Sequence, residues 1–355
     1  MSLSLLKKSF AVLVVLSLAI ALSSCGNSKE KGQPEAPADK GKAAQTQPIK
    51  VNVATTSINS AQIPVWVANN KGLFSRYGLD VNLTYINSSS TATQALLAGD
   101  VPLVAQGATA TVNADLAGGD IVMIAGLMNT MPYELVTNSK IKKGEDLKGQ
   151  KLGISKAGTS SDLGARLILK KLGLQPEKEV FLAQSGDQGE RLAALQGGAI
   201  QAALMEMPFT LVANKAGFPT LVNMADLKIP FSYNGIATTK KFLKANPEAA
   251  ERFLKALIDA IHFVRTNKEE TLQVMSKEMK LDDKEALSAM YDAFVGPLFL
   301  EYPIIPDEAI KTILDDVGQK NEKAKTANPG DFLDMSILKK IKDSGFIDDI
   351  YGKKK

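Results

Sequence analysis

The chain has 355 residues, 45% of them hydrophobic, and sets 42 basic against 38 acidic side chains for a formal charge of +4, with one histidine and one cysteine. Basic and acidic residues are interleaved, so there is no basic stripe of the kind that grips nucleic acid. One His and one Cys cannot supply a transition-metal site or a disulfide framework, and nothing around His262 marks a Ser–His or Cys–His catalytic pair.

Lys7 and Lys8 precede an uncharged apolar run of 13 residues, Phe10 to Leu22, and the small pair Ser23–Ser24 leads into Cys25. A charged start, a short apolar stretch and small residues at the end are the marks of a signal peptide, and about 20 residues are needed to span a bilayer. The thiol directly after the small pair resembles the lipobox of bacterial lipoproteins. Residues 1–24 are therefore expected to be a lipoprotein signal peptide and Cys25 the lipidated first residue of the mature chain. The other reading is an ordinary secretory signal with a cysteine there by chance. Gly26–Pro48 has 23 residues with no aromatic, Val, Ile, Leu or Met. Such a segment cannot bury enough apolar surface to offset its ordering entropy, so 25–48 reads as a lipidated Cys and disordered tether. The product is an exported, lipid-anchored protein facing the periplasm or cell exterior.

The body then alternates strand and helix. Strands are expected at Ile49–Ala54, Leu79–Tyr85, Val101–Ala105 and Ile121–Leu127, with helices at Ile63–Lys71, Ser88–Ala98 and from Ala108. A second series begins near Gly149: strands Lys151–Ile154, Val180–Leu182, Ala199–Met205 and Leu221–Met224, helices Thr159–Leu172 and Asp187–Leu195, and a helix opened by Pro208. The rhythm predicts two α/β units, each a mostly parallel sheet with helices on both faces. From Asn246 the chain is helical. Asn246-Pro247-Glu248 is a strong start, with Phe253, Leu257, Ile261 and Val264 as the apolar face. Further helices are expected at Lys284–Phe294, Asp307–Val317 and Met335–Lys342.

Phosphate-loop and dinucleotide glycine patterns are absent, and no cofactor or metal is expected. His262 shares a helix flank with Lys255, Asp259 and Thr266 and reads as a surface residue. What remains is four strand-to-helix loops rich in hydroxyls and small residues: 55–60, 87–91, 106–111 and 156–161. Ligands of open α/β sheets bind beyond the strand C-termini, where helix N-termini present free N–H groups. Together the four loops could hold a small oxyanion without an arginine. Plain N-capping is the competing use of the same residues.

Ile63-Pro64-Val65-Trp66-Val67-Ala68 with Lys71-Gly72-Leu73-Phe74, then Tyr77-Gly78-Leu79-Asp80-Val81, resembles the opening of nitrate/sulfonate/taurine-type substrate-binding proteins of ABC importers, relatives of thiamine-pyrimidine-precursor binding proteins. Ala95–Val101, Asp146–Gly153, Leu195–Ala203 and Glu206-x-Pro208 follow in the family's order. The resemblance implies a type II periplasmic-binding fold with two Rossmann-like lobes joined by a two-strand hinge. Lobe 1 would be 49–136 plus 239–355 and lobe 2 would be 137–238, with hinge segments near Met131–Asn138 and Phe231–Thr238. It implies a monomeric receptor, not an enzyme, handing a small-molecule anion to an ABC permease with its ATPase. A receptor for a thiamine pyrimidine precursor or aromatic acid, or a sensory receptor of the same fold, are the alternatives. The family's cleft positions fall on Ser57, Asn59, Gln62, Ser88, Ser89, Gly107, Ala108, Thr109, Gly158, Thr159, Ser160, Glu206 and Asn234. Glu206 would pair with a ligand ammonium or cap the helix opened by Pro208. Trp66 would stack on a ligand or pack its helix on the sheet.

Overall fold

The computed structural model describes residues 47–353. The expected signal peptide, Cys25 and residues 26–46 of the tether lie outside the described residues.

Strands β1 (Ile49–Thr55), β2 (Leu79–Tyr85), β3 (Leu103–Gln106) and β4 (Val122–Thr130) come first in the chain. β5 (Glu134–Thr137), β6 (Lys151–Ile154), β7 (Phe181–Gln184), β8 (Ala202–Met205), β9 (Thr220–Asn223) and β10 (Pro230–Thr238) follow. They form two five-stranded sheets, in the orders β2-β1-β3-β10-β4 and β7-β6-β8-β5-β9. The fold is α/β, as the strand–helix alternation implies. Four of the eight strand pairs run parallel and four antiparallel, so the sheets are mixed rather than mostly parallel as expected, and each holds one reversed strand. β10 is antiparallel to β3 and β4, and β5 is antiparallel to β8 and β9.

The reversed strands fall in the two stretches, Met131–Asn138 and Phe231–Thr238, that the family resemblance marked as hinge segments. β4 carries the chain out of the first sheet at Thr130, and β5 enters the second four residues later. β10 returns, and its residues 230–238, which the chain-order division groups with the second unit, hydrogen-bond into the first sheet.

The helix Pro247–Thr266 presents Phe253, Leu257, Ile261 and Val264 to the core, all four fully buried. Phe253 stacks on Phe74 with ring centroids 5.1 Å apart. This helix packs against Ile63–Asn70, and Asp307–Val317 packs on β10. Trp66 is buried in the same core. His262 is half-buried with its ring edge-on to Tyr351, 4.8 Å between centroids, so it is less exposed than expected of a flank residue. A smaller apolar cluster of Val136, Leu192, Leu195, Ile200, Ala203, Met205 and Ala213 packs within the second unit. No described helix is long and apolar enough to cross a membrane.

Candidate functional site

The C-terminal ends of β1, β2 and β3 in one sheet face those of β6, β7 and β8 in the other. Loops from both sides enclose a cavity of about 60 Å³. Its wall is rich in hydroxyls, with Thr56, Ser57, Ser88, Ser89, Ser155, Thr159, Ser160 and Ser161 beside amides of Asn59, Asn87, Gln188 and Asn234.

Four helices begin at this wall: Ser89–Ala98, Ala108–Leu116, Ser160–Lys171 and Gln188–Gln196. The first N–H groups of each have no partner inside the helix, and the axial dipole makes each end partly positive. Asp187 caps the last of them, its side chain accepting from Glu190 N at 2.9 Å. At the other three, Ser88, Gly107 and Thr159 make no side-chain cap. The Ser88 and Thr159 hydroxyls are thus not used as caps, whereas in the first loop Asn59 does cap, accepting from Ala61 N at 3.2 Å. Thr159 turns its Oγ1 to donate to the carbonyl of Lys156 at 2.7 Å. The Ser88 hydroxyl is buried without a hydrogen-bond partner, on a residue with φ of 82°. Asn234 Oδ1 is likewise buried and unpartnered in the cavity wall.

Arg191 also lines the cavity and is only 3% exposed. It donates to the backbone carbonyls of Asp187, at 3.3 Å, and Leu204, so both partners are neutral. The sequence reading of a site without an arginine is corrected here. Arg191 sits four residues after Asp187 on a helix whose N-terminus faces the cleft, which turns its stem under the same wall.

The two sides approach closely. Ser90 Oγ donates to the carbonyl of Ala157 at 3.1 Å, and Lys156 Nζ donates to Thr91 Oγ1 at 2.9 Å. Asn87 Nδ2 reaches Glu190 Oε2 at 3.3 Å. A Cβ at Gly107 would collide with Ser160 Oγ and lie 3.1 Å from the carbonyl of Tyr233, so only glycine permits this approach.

Of the expected positions, Ser57, Asn59, Ser88, Ser89, Gly107, Thr159, Ser160 and Asn234 line the cavity. Gln62, Ala108, Thr109, Gly158 and Glu206 do not. Gln62 is buried behind it, donating to Ser57 Oγ at 3.1 Å, and Thr109 and Gly158 line a separate groove. Trp66 is absent from the wall. Tyr133, Ser155, Asp187, Gln188, Arg191 and Tyr233 are the residues sequence reasoning missed; the two tyrosines lie on or beside the reversed strands, whose pairing could not be foreseen.

Glu206 is fully buried just behind the wall. Its Oε1 accepts from Asn59 Nδ2, from Tyr233 OH at 2.5 Å and from Gln188 Nε2 at 2.7 Å. Gln188 also accepts from the backbone N–H of Glu206 at 2.7 Å. Oε2 has no hydrogen-bond partner. Glu206 does not cap the helix Phe209–Lys215, which has no side-chain cap. Burial pushes its carboxyl from 4.5 up to about 7, against the opposing pull of Tyr233, Gln188, Arg191 and Asn59.

The chain matches the model of the family described as NMT1/THI5 like over residues 59–271. It belongs to that family. A protein of Bacillus subtilis strain 168, YtlA, named as a candidate binding protein, is 27% identical over 61% of this chain and 67% of its own length. A protein of Brucella abortus strain 2308, named in the same way, is 26% identical over the same shares. Among solved structures, the alkanesulfonate-binding protein SsuA from Xanthomonas axonopodis pv. citri, bound to MOPS, superposes with a TM-score of 0.69 at 15% identity, covering 81% of this chain and 99% of that one. The periplasmic nitrate-binding protein NrtA from Synechocystis PCC 6803 gives 0.70 at 16% identity, over 84% and 89%. This family member therefore has the periplasmic-binding-protein fold, and these solved relatives are binding proteins rather than enzymes. Among the described residues no cluster of three or more His, Cys, Asp or Glu could hold a metal ion.

Proposed function

We propose that this protein is the solute-binding component of an ABC importer, anchored through a lipidated Cys25, which captures a small organic anion between its two lobes and delivers it to a permease with its ATPase. The observation that carries the reading is the convergence of four helix N-termini, three without side-chain caps, on one hydroxyl-lined cavity beside the buried Arg191. Such ends present N–H donors and partial positive charge to an oxyanion. The cavity's size favours the smallest members of the class: nitrate, a short alkanesulfonate or taurine. For a ligand that also carries an ammonium, Asp187 is the acid that faces the cavity. The crossings that lead into β5 and β10 would act as the hinge.

One observation favours a second reading. Tyr133 and Tyr233 meet edge-on, 5.1 Å between centroids, in the cavity wall, as a site for a thiamine pyrimidine precursor or aromatic acid would use them. Such a ligand would require a wider cavity than this one.

A thermal-shift panel of nitrate, alkanesulfonates, taurine, aromatic carboxylates and pyrimidine precursors tests both. A ligand at 100 times its dissociation constant stabilises the fold by about 2.7 kcal/mol. Stabilisation by the small anions supports the first reading, stabilisation by the flat ligands alone supports the second, and no shift at millimolar levels overturns both.

A further inference from the structure

Glu206 joins the two sides of the cleft. Asn59 follows β1 and Tyr233 lies on β10, both of the first sheet; Gln188 opens a helix of the second unit, and Glu206 follows β8. Donors from both sides meet on a single oxygen of one carboxyl. All three donors, but not Glu206 itself, line the cavity. Asn59 also donates to Tyr233 OH at 3.0 Å, so the first-sheet partners are tied to each other. Whatever holds Glu206 in place therefore also sets the direction in which three cavity-lining side chains point.

We propose that Glu206 is the positioning residue of the cleft: by gathering Asn59, Gln188 and Tyr233 on one oxygen it makes closure of the two sides and orientation of the ligand-binding groups a single event. The inference rests on the cavity being the ligand site. Oε1 accepts three hydrogen bonds, which favour the charged form, while Oε2 has no partner and burial outweighs those bonds in favour of the neutral acid. A neutral acid is also the form that dry surroundings favour.

The groups around it are few. The Asn59 loop brings no ionisable side chain. The helix Gln188–Gln196 brings Arg191, which favours the charged form, and its cap Asp187 faces the same cavity. Tyr233 on β10 and Tyr133 just before β5 are buried, which raises both hydroxyls, Tyr133 to about 12, so both stay neutral. Opening of the cleft wets the carboxyl and lets it ionise in its ordinary range. Closure therefore takes up a proton between the open and closed pKa values, and it weakens as pH rises through about 7.

The test is hydrogen–deuterium exchange of the full chain without added ligand, from pH 5.5 to 8.5, reading peptides that cover residues 57–62 and 186–191. Wild type and Glu206→Gln are compared at each pH, which removes the intrinsic pH dependence of exchange. Relative to the Gln variant, wild type is expected to exchange at least threefold faster at pH 8.5 than at pH 5.5. Glu206→Ala is expected to exchange rapidly at both. Superimposable wild-type and Gln profiles would overturn the proposal. Glu206→Gln keeps the side chain's volume, so that comparison stands even if the Ala variant does not fold. No ligand is involved, so an empty ligand panel and a flat exchange profile are separate results.

Discussion

Asn59 and Glu206 lie 147 positions apart in the chain, and the Asn59 amide donates to the Glu206 carboxyl across the cleft. The bond links the end of β1 to the end of β8, so one buried contact reports on whether the two sheets face each other correctly. Asn59 also uses its oxygen to accept from Ala61 N at 3.2 Å, which holds the side chain in the orientation that reaches Glu206.

Glu206 makes stability depend on pH. Its folded pKa, about 7, lies above the ordinary 4.5, so its contribution is full below about 4.5 and is lost as pH rises through about 7. The spread corresponds to at most about 3 kcal/mol. Urea unfolding should give a midpoint that falls from pH 5 to pH 8 in wild type, relative to Glu206→Gln. Parallel pH profiles of the two proteins would show that the carboxyl is not buried as described.

Arg191→Lys should weaken binding of the active small anion at least tenfold, about 1.4 kcal/mol, because an ammonium cannot reproduce the guanidinium's spread of donors. Calorimetric titration of the anion found in the thermal-shift panel measures this. Unchanged affinity would remove Arg191 from the binding set.

Gly107→Ala should block closure, since the added methyl meets Ser160 Oγ from the opposite wall and is crowded by the Tyr233 carbonyl of its own sheet. Gly107 itself has φ of −71°, so alanine strains nothing locally. The expected outcome is a loss of ligand-induced thermal shift with the ligand-free melting temperature within a few degrees of wild type. Retained binding would mean the walls can part by a methyl group without consequence.

Ser88→Gly should separate stability from function. Glycine adopts positive φ freely, and the change removes a buried hydroxyl that has no partner, so the free protein gains about 0.5–1 kcal/mol. Affinity should fall, because that hydroxyl faces the cavity. A variant that is both more stable and equally tight would show that Ser88 serves no ligand.

Phe253→Ala should destabilise by about 3–5 kcal/mol, the cost of emptying a fully buried aromatic site that also loses its stack on Phe74. Thermal or urea unfolding reads it directly.

Much of the fold is legible in the sequence because local rules act within a few residues. The strand Leu79–Tyr85 and the helix Asp307–Val317 have the bounds that alternation and apolar spacing imply. Gly173, with φ of 75°, directly follows the cap of the helix Ser160–Lys171, as a left-handed stop should. The hydroxyl loops are legible too, since Ser, Thr and Gly at strand-to-helix turns stand out by composition. Glu206 stood out as an acid at a strand end, but it does not cap the helix Phe209–Lys215, and its partners within the chain come from segments 147 positions before, 18 before and 27 after it.

The sequence by itself determined the alternation of strands and helices, the four polar turns and the absence of His/Cys chemistry, because each depends on residue types at short spacing. Tertiary structure alone decided that β5 and β10 run against their neighbours, that Arg191 and two tyrosines reach the cavity wall, and that three donors meet on one carboxyl oxygen. Those outcomes depend on which strands become neighbours and how far two walls approach, and burial then gives the Glu206 carboxyl a proton affinity that no local pattern encodes.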